Sequence, residues 1–176
     1  MSTQNVLNNP LIQTRTPEEF RAAALARTHI VYLPLDPQEY GRTQQILTEA
    51  LDLSSERKLD IRGVLGTKDF YAIKGQLTQA FAEEICRLAL PHIELFSGPY
   101  TRVEILKNLT REEHDHVFDV LNINTGGPGT GAMTESGPAF APEGSLVYIP
   151  RNIKHLSCQE RSGEAPRITM GIYNPF

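Results

Sequence analysis

The chain of 176 residues is short of cysteine, of long apolar runs and of blocks of like charge, and each shortage closes off a class of protein. Cys86 and Cys158 are the two cysteines, far apart in sequence and too few for a disulfide framework. Two reduced thiols in a cytoplasmic protein are therefore the expected state. No apolar stretch approaches the roughly 20 residues that a membrane-spanning helix needs. The opening "MSTQNVLNNPLIQTRTPEEF" lacks the basic start and apolar block of a secretory signal. The formal net charge is −4 and no long basic run occurs, so neither nucleic acid nor an anionic membrane is an expected partner. Repeats and low-complexity blocks are absent too. What remains, 40% apolar and 22% charged, fits a soluble globular chain whose length suits one domain, 1–176.

The chain changes character near residue 98. Before it the pattern is mainly helical. Thr16-Pro17-Glu18-Glu19 reads as a capping box, with a hydroxyl N-cap, proline in the first turn and glutamate at N3. "IVYLPL" (30–35) reads as a short strand bounded by prolines. Ile46, Leu47, Ala50 and Leu51 form one helical stripe, as do Leu77, Ala80, Phe81, Ile85 and Leu88, the latter helix ending at Pro91. From 99 onwards the signals are β: "TRVEILKNL", "HVFDVLNIN", "SLVYIP" and "RITMGIY", separated by segments rich in glycine and proline. The polar, glycine-rich stretch 126–145 is long for a plain connection and is expected to cover a pocket mouth. The expected fold is α+β and mainly β, a barrel from 99–176 with the helices of 1–98 packed outside.

Of the five histidines, His29 and His92 stand at helix ends, where a structural or solvated role is expected. His114, His116 and His155 lie among the β segments. Residues two apart on a strand project from one face, so His114 and His116 can chelate one ion there. His155, placed after a proline turn, is the natural third ligand from another strand. In an unbroken strand from His114, Asp119 would point to the opposite face unless a bulge resets the alternation, whereas Glu112 has the matching parity. The ligand set is thus three histidines, or histidines with Asp119 or Glu112. Three is the preferred set, with Asp119 supporting it or capping.

These positions resemble the motifs of the cupin, or double-stranded β-helix (jelly-roll), superfamily. His114-Asp115-His116 is followed by Asp119 and, after six further residues, by Gly126. Gly144, Pro150 and His155 match the spacing of a second motif, with Asn152 in a slot usually held by glycine. The resemblance covers about residues 100–176 and implies the double-stranded β-helix barrel with a mononuclear metal in it. The end of the chain, "APRITMGIYNPF", resembles the iron(II)/2-oxoglutarate oxygenases, which share that barrel. Arg167 follows His155 by twelve residues, and Thr169 lies two further on. In that family such an Arg-x-Ser/Thr pair binds the far carboxylate of 2-oxoglutarate, a task suited to the planar guanidinium fork. The family's first pair is His-x-Asp or His-x-Glu. This chain has His-x-His, and three neutral histidines also resemble iron cupins that act without 2-oxoglutarate.

Other signals carry less. "GGPGTGA" is followed by neither Lys-Ser/Thr nor a helical pattern, so it is not read as a phosphate loop. Ser145 and Ser157 have no nucleophile-elbow motif around them. Cys158 is expected on the opposite strand face from His155, as a buried small apolar residue. Arg102, Lys107, Arg151 and Lys154 are expected to be solvated, or else to steer anionic substrates.

The expected function is that of a non-haem iron(II) dioxygenase acting on a small molecule that carries a carboxylate, with 2-oxoglutarate as candidate co-substrate. His114, His116 and His155 would hold the metal, and Arg167 with Thr169 would bind the carboxylate. A metal-dependent lyase, isomerase or cyclase, in which Tyr148 or a nearby acid moves protons, and a non-catalytic ligand-binding barrel are the alternatives. Barrels of this kind often pair, which makes a homodimer a further expectation.

Overall fold

The computed structural model describes residues 9–56, 86–96, 103–105, 119–126, 129–158 and 169–172, with 49–56, 103–105, 157, 158 and 169–171 described by backbone alone. Near the start, β1 (Leu11–Gln13) leads into α1 (Pro17–Ala26), β2 (Ile30–Pro34) and α2 (Pro37–Glu56). A helical segment at 86–89 and a 3-10 helix at Ile93–Phe96 follow. The remaining strands are β3 (Val103–Ile105), β4 (Asp119–Ile123), β5 (Gly131–Thr134), β6 (Gly137–Ala139), β7 (Ser145–Ile149), β8 (His155–Cys158) and β9 (Thr169–Ile172).

The strands form two sheets, one of six strands in the order β1-β2-β7-β4-β9-β3 and one of three in the order β6-β5-β8. Among the described strands only the β1–β2 pair is parallel. The architecture is thus α+β with a mixed sheet, and among the described residues the sheets do not close into a barrel. No described helix is long and apolar enough to cross a membrane.

Local chemistry accounts for several boundaries. Thr16 caps α1, its hydroxyl accepting the Glu19 N–H at 3.1 Å, while Glu19 returns a carboxylate to the Arg15 N–H at 2.8 Å. Arg27 ends the helix in the left-handed region (φ 55°), its N–H donating to the Ala24 carbonyl. The Asp36 carboxylate accepts two N–H groups, from Gln38 and Glu39, at the start of α2. β1 has no strand-like apolar pattern, and it exists because its backbone pairs with β2.

Paired residues in an antiparallel sheet share a face, so the register sorts the large sheet's side chains into two sets. Leu121 pairs with Tyr148, Ile123 with Leu146, and Asp119 with Ile172, which puts all of them on the face that meets the helices. There Phe20, Leu47, Leu90 and Phe96 complete a core with no exposed surface to speak of. Phe96 stacks on Tyr148 at 4.9 Å, and Phe20 meets both rings edge-on. A buried Thr43 hydroxyl donates to the Ala89 carbonyl at 3.1 Å, tying α2 to the 86–89 segment. The opposite face carries Val120, Asn122, Val147 and Ile149 toward the small sheet.

Within the glycine-rich stretch, 131–139 folds into the β5–β6 hairpin with a turn at Glu135 and Ser136. Glycine allows this where side chains would not, since a Cβ on Gly131 would sit 2.6 Å from the Ala139 carbonyl oxygen. The helical stripe expected around 75–90 is described only at its end, and its earlier residues lie outside the described ones.

Candidate functional site

The two sheets face each other across a small cavity of about 30 Å³, walled by Asn122, Val147 and Ile149 from the large sheet and Ala132 and Ala139 from the small one. Strand register places His155 and Thr169 relative to this space. β8 pairs with β5 so that Ser157 opposes the buried, cavity-lining Ala132 and His155 opposes Thr134. His155 therefore lies on the inward face of β8, at its first residue. Leu156 and Met133 oppose each other on the outward face, and both are exposed. The same register assigns Cys158 to the face opposite His155, as expected. Thr169 opens β9 and pairs with Asn122, which places it on the inward face of the large sheet.

The His155 ring is half-buried, and its Nδ1 lies 3.1 Å from the Ile153 carbonyl oxygen. A carbonyl can only accept, so this contact calls for a proton on Nδ1. That is the arrangement by which a backbone carbonyl orients a metal-binding imidazole.

His114, His116, Glu112 and Arg167 lie outside the described residues, as do Arg102 and Lys107. Among the described residues no three His, Cys, Asp or Glu side chains gather as a metal site. Asp119, paired with Ile172, is on the helix-facing side of the large sheet. It is fully buried and already engaged: Oδ2 accepts the Tyr148 hydroxyl at 2.5 Å and meets the Arg27 guanidinium at 3.3 Å. Oδ1 accepts the Arg151 backbone N–H at 2.8 Å and its Nε at 3.2 Å. Its place is in this cluster and not among inward-facing ligands.

Tyr148, considered as a proton-moving residue, is fully buried on that same helix side. Burial raises its hydroxyl well above the ordinary value of 10.0, and the Asp119 carboxylate adds to the rise. The hydroxyl stays protonated and serves as a donor to Asp119. Arg151 likewise differs from the solvated residue expected of it, being paired with Asp119. His29 contacts the Thr28 hydroxyl at 2.9 Å, and His92 pairs with Glu39 at 3.2 Å, both local roles.

Two features escaped the sequence reading. One is the pair Asn122 and Asn124, alternate positions of "LNIN", which face inward. Asn124 is a buried latch, its amide donating to the Thr130 and Ala141 carbonyls, while Asn122 stays half-buried opposite Thr169. The alternation of asparagine with leucine and isoleucine was the available signal. The other is a polar cleft of about 480 Å³ beside the start of β8, to which Thr134, Glu135, Ile153 and Lys154 contribute. That volume is in the range of small-molecule sites.

No family model, no curated protein and no solved structure matches this chain.

Proposed function

We propose that the chain is a mononuclear non-haem iron(II) dioxygenase built on a double-stranded β-helix, acting on a small molecule with a carboxylate. The single observation that carries this reading is His155, at the head of β8 on the inward face, with its Nδ1 held to a backbone carbonyl. The strand order supports the barrel. From β4 onward the chain passes from the large sheet to the small (β5, β6), back (β7), across (β8) and back again (β9). Such alternation between facing sheets is what a jelly roll requires.

His114 and His116 are assigned as the other two ligands. If β4 extends back unbroken, even-numbered positions share the inward face of Val120 and Asn122. The donor set fits iron(II), since imidazole suits that ion and three ligands leave positions open. When bound, the iron would supply the chemistry that activates dioxygen. Thr169, with its register place opposite Asn122, and Arg167 two residues before it are assigned to a carboxylate, from 2-oxoglutarate or from the substrate. The polar cleft beside β8 is assigned as the substrate's approach, where the exposed Lys154 offers a cation to an anionic group.

Anaerobic reconstitution of the untagged chain with iron(II), then titration with 2-oxoglutarate and assay of succinate release with candidate carboxylates, tests the proposal. Binding of 2-oxoglutarate and oxygen-dependent succinate supports it. An intact, iron-loaded protein that neither binds 2-oxoglutarate nor consumes dioxygen overturns it. Turnover that persists anaerobically with zinc would instead identify a lyase, isomerase or cyclase. Absence of any bound metal would leave a ligand-binding barrel.

A further inference from the structure

We propose that Asp119 is a positioning residue for His155, acting through the turn between β7 and β8. The inference rests on the reading of His155 as a ligand but concerns contacts made by the chain alone. The carboxylate sits on β4 and draws donors from α1, β7 and that turn. Its Oδ1 holds Arg151 twice, by the backbone N–H at 2.8 Å and by Nε at 3.2 Å. Its Oδ2 holds Tyr148 and Arg27. Arg27 then closes a second connection, since its own carbonyl accepts the Asn152 side-chain amide at 3.0 Å. Two successive turn residues are thereby tied to one buried charge, Arg151 directly and Asn152 through Arg27.

The next residue completes the path. The Ile153 N–H donates to the Pro150 carbonyl at 3.1 Å, which closes the turn. The Ile153 carbonyl in turn faces His155 Nδ1 at 3.1 Å. That carbonyl favours a proton on Nδ1. At 3.1 Å the contact is already near the long end of the hydrogen-bond range, so displacement of the turn by roughly half an ångström ends it. Without the carbonyl the ring loses that preference for Nδ1–H, and a proton held on Nε2 leaves no lone pair there to give.

A purely stabilising role would not need this arrangement. A buried carboxylate is costly, and an apolar residue of like volume often stabilises as well or better. What the charge adds is fixed geometry, and here the geometry it fixes is that of the turn leading into His155.

The test is the tautomer of His155, read from ring ¹⁵N and ¹H shifts of histidine-labelled, full-length, metal-free protein in chelator. Wild type should show the Nδ1–H form. Asp119→Asn should move His155 toward Nε2–H, and Arg151→Ala, which removes the Nε contact but keeps the backbone N–H on Oδ1, should move it the same way by a smaller amount. Tyr148→Phe removes a donor from Asp119 but no bond to the turn, and should leave the His155 shifts as they are. Iron(II) affinity in Asp119→Asn should fall by about 10–100-fold, the usual effect of losing an outer partner. An unmoved His155 in Arg151→Ala and in any folded Asp119→Asn overturns the proposal, and so does an equal shift in Tyr148→Phe. If Asp119→Asn does not fold, Arg151→Ala decides alone. Because no metal is present in the spectra, a tautomer change in a protein that binds no iron would sink the iron reading while leaving the positioning role intact.

Discussion

Replacing Tyr148 by phenylalanine isolates one bond in the Asp119 cluster. The ring and its contacts survive, including the stack on Phe96 at 4.9 Å and the edge contact with Phe20 at 6.4 Å. What goes is the 2.5 Å hydrogen bond from the hydroxyl to a carboxylate with no exposed surface. A hydrogen bond to a charged group contributes about 1.5–3 kcal/mol, and Asp119 keeps the two arginines, so a loss of about 2 kcal/mol is expected. With a urea m-value of about 2 kcal/mol/M, the unfolding midpoint should drop by about 1 M at constant slope. The chain has no tryptophan, so far-UV circular dichroism is the natural probe. Tyr40→Phe is the control, since its 3.0 Å bond to Glu143 lies at the surface and should contribute less than about 1 kcal/mol. The pH dependence adds a second check. The folded-state value of Tyr148 is raised, so the stability it confers is complete below about pH 10 and is lost as the pH rises above that, at up to about 1.4 kcal/mol per unit. Tyr148→Phe should flatten that alkaline decline. A midpoint within about 0.2 M of wild type, with an unchanged alkaline limb, would refute the cluster as described.

Phe20→Ala removes a ring with no exposed surface that meets Phe96 and Tyr148 edge-on, and should cost about 3–5 kcal/mol by chemical denaturation. Gly131→Ala forces a Cβ to within 2.6 Å of the Ala139 carbonyl and should destabilise by about 1–3 kcal/mol, with amide exchange rising first in the β5–β6 hairpin. Thr16→Ala removes the α1 cap and should lower stability by about 1 kcal/mol, whereas Thr16→Ser should change little in the same assay.

Legibility in the sequence followed the range of the interactions. The α1 cap and the strand at 30–34 were readable because Thr16, Pro17, Glu19 and the β-branched run act on neighbours in the chain. The side of the sheet taken by Asp119 is given by its pairing with Ile172. Its partners were not readable, because Arg27 and Arg151 reach it only once α1 and the β7–β8 turn have packed on β4. Arg27 has no local feature that separates it from other surface arginines. β1 and the β5–β6 hairpin were missed for a related reason. β1 is held by pairing rather than composition, and glycine-rich sequence reads as loop even where close backbone approach is what the glycine permits. At the candidate site, the inward placement of His155 and Thr169 comes from strand pairing, and Asn122, opposite Thr169, became apparent only through that pairing.

Metal stoichiometry of the untagged chain, alone and as His155→Ala, tests the central claim most directly. The account predicts about one iron per chain after anaerobic loading, lost in His155→Ala while the circular dichroism spectrum is unchanged. A folded wild-type chain that retains no iron, or a His155→Ala variant that retains as much as wild type, would contradict it.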